Sequence, residues 1–150
     1  MSQKIIITNS EKQTFNLGKK LGAKLSGGEV LALNGELGAG KTVLIKGIAA
    51  GLGVKQIITS PTFVIMKVYK IPPRKSTSYK LQAKKLIHID CYRVREADAI
   101  AGIGALDYFG KPDTVAVVEW ADYIKPILPK VRINITIRLK GDNKRGITIT

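Results

Sequence analysis

A single α/β domain is what the sequence predicts, with a mixed, mostly parallel sheet flanked by helices and a C-terminal antiparallel hairpin. Three observations carry this expectation. Residues 86–90 (Leu-Ile-His-Ile-Asp) and 114–119 (Thr-Val-Ala-Val-Val-Glu) are short apolar runs of the kind buried on both faces of a parallel sheet, and each ends in a carboxylate. Residues 131–139 alternate with period two, turn at Gly141-Asp142-Asn143 and return over 145–150, which reads as a hairpin. Between the apolar run 30–33 and the helix-like 43–50 stands Gly35-Glu36-Leu37-Gly38-Ala39-Gly40-Lys41-Thr42, which fits G-x-x-x-x-G-K-[ST] at every constrained position. A strand, this loop and a helix in succession make a phosphate-binding P-loop.

Each residue type in the loop has its own task. Glycines at 35, 38 and 40 let the backbone wrap a phosphate, so that successive N–H groups and the positive end of the next helix face the anion. Lys41 neutralises the terminal phosphates and the Thr42 hydroxyl is placed to ligate Mg²⁺. The cofactor-binding set on this reading is Gly35, Glu36, Leu37, Gly38, Ala39, Gly40, Lys41 and Thr42, with ATP and Mg²⁺ as ligands.

In chain order, residues 4–8 form a short β-rich segment, and Ser10-Glu11-Lys12-Gln13 fits a capping box. Leu17, Leu21 and Leu25 recur at helical spacing, which predicts a helix over about 10–25, ended by Gly27-Gly28. Its main task is core packing; Glu11 or Thr14 near its start is a candidate nucleotide contact. The helix after the P-loop is expected to stop at Gly51 and Gly53. Thr59-Ser60-Pro61-Thr62 is either a plain turn or a hydroxyl-rich segment that senses the γ-phosphate and Mg²⁺, as switch segments do. Residues 63–69 have strand composition. From 67 to 85 the chain carries Lys67, Lys70, Arg74, Lys75, Lys80, Lys84 and Lys85 and no acid, which predicts a loop or ragged hairpin, either merely solvated or, with Tyr69 and Tyr79, a nucleic-acid contact.

A carboxylate that follows four apolar strand residues is delivered to the C-terminal edge of a parallel sheet, where the phosphate cradle lies. Asp90 and Glu119 both qualify as the Walker-B-type acid. Between them, 97–103 reads as a short helix. Arg93 is a candidate arginine finger or the partner of a neighbouring carboxylate, with the ion pair the favoured reading. His88, between Ile87 and Ile89, reads as a packed strand residue rather than a base. Trp120 belongs to the core or sits over the site. Residues 122–129, bracketed by Pro126 and Pro129, form a short irregular or helical connection.

Composition bounds the rest. The chain has 150 residues, 45% of them hydrophobic, which is one domain's worth. Cys91 is the single cysteine, so no intramolecular disulfide or cysteine-rich zinc site is expected. No signal-like h-region or membrane-length apolar stretch is present, and a cytoplasmic protein with no membrane partner is expected. Twenty-five Lys and Arg against eleven Asp and Glu give a net charge of +14. That balance suits polyanionic partners such as RNA, and equally suits simple solubilisation.

Taken together, Gly-Glu-Leu-Gly-Ala-Gly-Lys-Thr (35–42), Thr-Ser-Pro-Thr-Phe (59–63), His-Ile-Asp-Cys-Tyr-Arg (88–93), Asp-Tyr-Phe (107–109), Val-Glu-Trp (118–120) and Leu-Pro (128–129) resemble the TsaE (YjeE) family in order and rough spacing. The resemblance spans about residues 11–145. It implies an ATPase that assists bacterial synthesis of N6-threonylcarbamoyladenosine in tRNAs reading ANN codons. The partner so implied is the TsaB–TsaD pair, with tRNA reached through that complex or touched directly, and the chain is not itself the threonylcarbamoyl transferase. By matching position, Lys41, Asp90 and Glu119 are the catalytic residues and Thr42 and Glu119 the metal residues. Asp90 is expected to organise the attacking water or the Mg²⁺ shell. The 59–62 loop resembles the family's switch-like segment, Trp120 its tryptophan beside the site, and Lys144 and Arg145 fall about where the family approaches the nucleotide. Departures are Glu36 where Asp is common, Cys91 where Leu is common, a segment after Arg93 with fewer glutamates, and the basic charge; they bear on the partner surface rather than on phosphate binding.

Two other readings remain open on sequence. A small-molecule kinase would use the basic stretch as a lid, and a basic RNA-binding module would hold its nucleotide for structure alone.

Overall fold

The computed structural model describes residues 3–36, 38–59, 66–73, 81–92 and 104–150. Strand β1 (Lys4–Thr8) leads into helix α1 (Glu11–Ala23). Ser10 caps the helix from extended backbone, its hydroxyl accepting from Gln13 N at 3.1 Å, while Gln13 Oε1 accepts from Asn9 N at 2.7 Å. The helix ends earlier than expected and without a glycine cap: Lys24 closes it in right-handed geometry. Gly27 and Gly28 instead form the turn into the next strand, where the Glu29 carboxylate accepts from Ser26 N and Gly27 N.

Strand β2 (Val30–Gly35) delivers the chain to the P-loop, and helix α2 (Lys41–Leu52) leaves it. Gly53, in the left-handed region at φ 88°, is the C-cap of α2. Gly51 is not part of the stop. With Gly18, Gly22 and Gly47 it lines the α1–α2 contact, where added Cβ atoms would fall 2.2–2.4 Å from carbonyl oxygens of the facing helix. Two helices with these side chains deleted approach almost backbone to backbone.

The remaining strands are β3 (Met66–Lys70), β4 (Lys85–Asp90), β5 (Thr114–Glu119), β6 (Ile133–Gly141) and β7 (Lys144–Ile149). They form one seven-stranded sheet in the order β1-β7-β6-β2-β5-β4-β3. The four central strands β6, β2, β5 and β4 run parallel, and β3 and β7 run antiparallel to their neighbours. The expected mixed sheet is therefore present. Its terminal hairpin is not simply appended, because β6 pairs with β2 and β1 closes the outer edge of β7. At its two ends the basic stretch takes the hairpin form of the two expected: Lys67, Lys70 and Lys85 belong to the antiparallel β3–β4 pair, and Lys85 meets Asp113 at 3.5 Å. Its middle, 74–80, lies outside the described residues, as do 60–65, Leu37, Arg93 and the expected helix 97–103.

Burial follows the strand alternation. One face carries Leu31, Leu33, Leu86, Val115, Val117, Ile135 and Ile147 against Leu44, Ile45, Ile48 and Leu52 of α2. Val30, Ala32, Ile87, Ile89 and Val118 on the other face pack against Ala105, Ala121, Ile124 and Leu128. Among the described residues both α-helices cover the first face, while the second is covered by 3-10 segments at Ala105–Asp107 and Ala121–Ile127. Asp90 and Glu119 continue the α2 face, spaced by even steps from Leu86 and from Val115 and Val117, so the fold brings both acids to the side from which α2 departs.

Candidate nucleotide site

The site forms where β2, β4 and β5 end together. Gly38 and Gly40 take φ values of 78° and 103°, a conformation that side chains disfavour, and α2 begins at the next residue. Backbone N–H groups at that end of α2 have no intrahelical partner. Lys41, 6% exposed, folds back over the loop. Its ammonium donates to Gly35 O and, at 3.4 Å, to Glu36 O, and lies 3.7 Å from the centre of the Trp120 ring. Burial holds the Lys41 pKa below the usual lysine value, opposed by the charges of Glu119 and then Asp90.

The two acids stand side by side, since β4 and β5 pair in parallel with Asp90 opposite Glu119. They differ in surroundings. Glu119 is 4% exposed and its Oε2 accepts from His88 Nε2 at 2.7 Å. Asp90 is half-buried, and its Oδ1 accepts from Tyr92 N at 2.9 Å. Cys91 N donates to Glu119 O at 3.0 Å, tying the start of the post-β4 segment to the end of β5. The Cys91 thiol is fully buried, and burial, then the Asp90 and Glu119 charges, push its pKa up to about 12.

An aromatic wall closes one side. Trp120 takes left-handed backbone at φ 55° and stacks with Tyr123 at 5.8 Å, while Tyr92 tilts against it at 5.0 Å. Asn34 at the end of β2 fixes this wall, its Oδ1 accepting from Asp122 N at 3.1 Å and its amide donating to Asp122 Oδ1 at 3.3 Å. Beyond the wall an open groove of about 710 Å³ runs past Glu36, Tyr123, Arg132 and Arg138.

The remaining sequence candidates divide. Arg145 on β7 reaches the P-loop: its Nε lies 3.3 Å from where a Cβ on Gly40 would stand. Glu11 is exposed in the first turn of α1. Thr14 is 2% exposed and its hydroxyl is already engaged, with Thr8 Oγ1 at 2.7 Å and Ser10 O at 3.2 Å, which makes it a packing residue in this structure. Lys144 is exposed at the start of β7. Thr59, at the head of the expected switch segment, is tied to β3: Lys67 Nζ donates to its hydroxyl, and the Tyr69 hydroxyl contacts its backbone N and O at 3.4 and 3.3 Å. Sequence reasoning missed the His88–Glu119 and Asn34–Asp122 pairs. The alternation of His88 with Ile87 and Ile89 does put it on the face of Asp90, but strand register is needed to bring it to Glu119.

With this geometry in hand, comparison with known proteins is decisive. The family model "Threonylcarbamoyl adenosine biosynthesis protein TsaE" matches residues 8–147. The chain belongs to the TsaE family. It is 38% identical over 143 residues to the tRNA threonylcarbamoyladenosine biosynthesis protein TsaE of Bacillus subtilis (strain 168), covering 95% of this chain and 82% of that one. With the TsaE protein of Treponema pallidum (strain Nichols) it shares 35% identity over 144 residues, covering 95% and 97% of the two chains. The crystal structure of Bacillus subtilis YdiB superposes with a TM-score of 0.73 at 35% identity, covering 99% of this chain and 84% of that one. The TsaE match agrees with a factor of tRNA threonylcarbamoyladenosine biosynthesis. No helix among the described residues is long and apolar enough to cross a membrane.

Proposed function

We propose that this TsaE-family chain is a Mg²⁺-dependent ATPase that assists the TsaB–TsaD pair in forming N6-threonylcarbamoyladenosine in tRNAs reading ANN codons, in the cytoplasm. The observation that carries the reading is the convergence of Lys41, Asp90 and Glu119 at the start of α2. Turnover of ATP needs little covalent chemistry from the protein; it needs a held phosphate, compensated charge and an oriented water. Backbone N–H groups of the glycine-rich loop and Lys41 hold the phosphates, with Arg145 beside Gly40 as a further cation.

The residues present fit a hard divalent cation. Glu119 and the Thr42 hydroxyl supply oxygen donors, and no cluster of three His, Cys, Asp or Glu side chains suited to a metal exists among the described residues. A sparse set of protein oxygens, completed by phosphate and water, is the habit of Mg²⁺ rather than of zinc. When bound, the ion compensates phosphate charge. Asp90, the more exposed acid, is the one positioned to orient the attacking water, and Trp120 with its tyrosine neighbours shields Lys41 from solvent. Isothermal titration with ATP and with ATP plus Mg²⁺ tests the reading: binding strengthened by Mg²⁺ and lost in Lys41→Ala supports it, and equal binding by that variant overturns the site.

The +14 charge favours one second reading, direct contact with RNA. On that reading the isolated chain binds tRNA tightly with a steep salt dependence and turns over no ATP.

A further inference from the structure

Buried beneath the acid pair is a histidine that the proposed mechanism does not use. His88 is 0% exposed and lies on β4 opposite Val117, two residues before Asp90 and on the same sheet face. Its neighbours on that face include Leu86, Val115 and Val117. An apolar side chain would fill this place without the penalty of burying an imidazole. The ring makes one polar contact among the described residues, Nε2 to Glu119 Oε2 at 2.7 Å, and Nδ1 is buried with no partner. Because a carboxylate accepts, Nε2 carries the hydrogen, and the ring grips Oε2 alone.

The consequence concerns where Glu119 does not go. Glu119 is the acid whose charge acts most strongly on Lys41, yet the two form no ion pair within 4.0 Å. Lys41 is held by Gly35 O, Glu36 O and the Trp120 ring, and Glu119 by His88. A glutamate without that grip has free side-chain torsions and an ammonium nearby, and collapse onto Lys41 would use up both groups. We infer that His88 is a positioning residue that pins the Glu119 carboxylate away from Lys41, leaving the acid presented to a divalent cation and the lysine to a phosphate. The inference rests on the proposed Mg-nucleotide reading. It assigns His88 a role through Glu119 and none toward substrate.

Mn²⁺ binding to the ADP-bound protein, followed by electron paramagnetic resonance, tests this beside the Mg²⁺ dependence of ATP turnover. The variants are His88→Gln, whose amide nitrogen stands near the place of Nε2, and His88→Asn, whose amide stands near that of Nδ1. Loss of an outer partner of a metal ligand weakens metal binding about 10- to 100-fold. His88→Asn is expected to fall in that range and His88→Gln to stay within a few-fold of the parent. In a Glu119→Gln background, His88→Asn is expected to have no further effect on metal affinity. Parent-like Mn²⁺ affinity in folded His88→Asn, equal losses in Asn and Gln variants, or full additivity with Glu119→Gln would each overturn the assignment. If the parent protein itself takes up no Mn²⁺ with ADP, the nucleotide reading fails first, and the His88 role with it.

Discussion

Replacing Gly22 by Ala is expected to lower stability although it improves helix propensity. Alanine gains about 1 kcal/mol over glycine inside an exposed helix. Here the new Cβ would sit 2.2 Å from Ile48 O, more than 1 Å short of ordinary contact, and 3.0 Å from Ile48 Cα, and both are backbone atoms of α2. Relief requires the helices to part, and a gap of that size forfeits a quarter to a half of each dispersion contact along the seam. Overpacking costs about 1–3 kcal/mol, and against backbone atoms that cannot turn aside the upper part of that range, about 2–3 kcal/mol, applies, so the net loss after the propensity gain is about 1–2 kcal/mol. For a chain of this length that lowers Tm by about 2–8 °C. Because α2 starts at Lys41, ATP affinity should fall as well. Differential scanning calorimetry against Asn16→Ala, an exposed site on the same helix, separates packing from propensity. A Gly22→Ala protein as stable as Asn16→Ala would refute the close-approach argument.

Other outcomes follow from the site. Trp120 is the only tryptophan and carries the Lys41 ammonium on its ring, so Mg-ATP should change its fluorescence as Lys41 turns to phosphate; an unchanged spectrum at saturating nucleotide would count against that movement. Lys41 has a folded pKa below its unfolded value, so its charge opposes folding at neutral pH, and that burden is lifted as pH rises from the folded pKa toward 10.5. The nucleotide-free Lys41→Met protein should therefore be more stable than the parent at pH 7, with the gap narrowing toward pH 10.5 in paired denaturant titrations; a gap independent of pH would contradict the sign. Cys91, buried with its pKa pushed up to about 12, should resist iodoacetamide at pH 8 until the protein unfolds; rapid labelling of folded protein would show that β4 opens locally.

Much of the fold was legible because its signals are local. The apolar strands with terminal acids, the P-loop and the period-two hairpin each lie in a few consecutive residues, and Ser10 and Gln13 announce the start of α1. What escaped depends on residues far apart in sequence. The α1–α2 seam needs glycines of two helices to face each other, so Gly51 read as a stop when it is a contact. Likewise, β1 pairing with β7 places Thr8 opposite Arg145, which no local pattern states. The place of Glu119 and Asp90 at the ends of two core strands was readable from the apolar runs alone. The partner of Glu119 was not, because His88 reaches it only through the β4–β5 register.

The central claim is that Lys41, Asp90 and Glu119 form an ATPase site serving a tRNA-modifying complex. ATP hydrolysis by the purified protein, alone and with TsaB, TsaD and tRNA, tests it most directly, with Lys41→Ala, Asp90→Asn and Glu119→Gln beside the parent. The account predicts slow turnover alone, marked stimulation by the complete set, and loss of turnover in each folded variant. Parent-like turnover in any of the three would contradict that residue's assignment, and turnover unmoved by TsaB–TsaD and tRNA would contradict the proposed partnership.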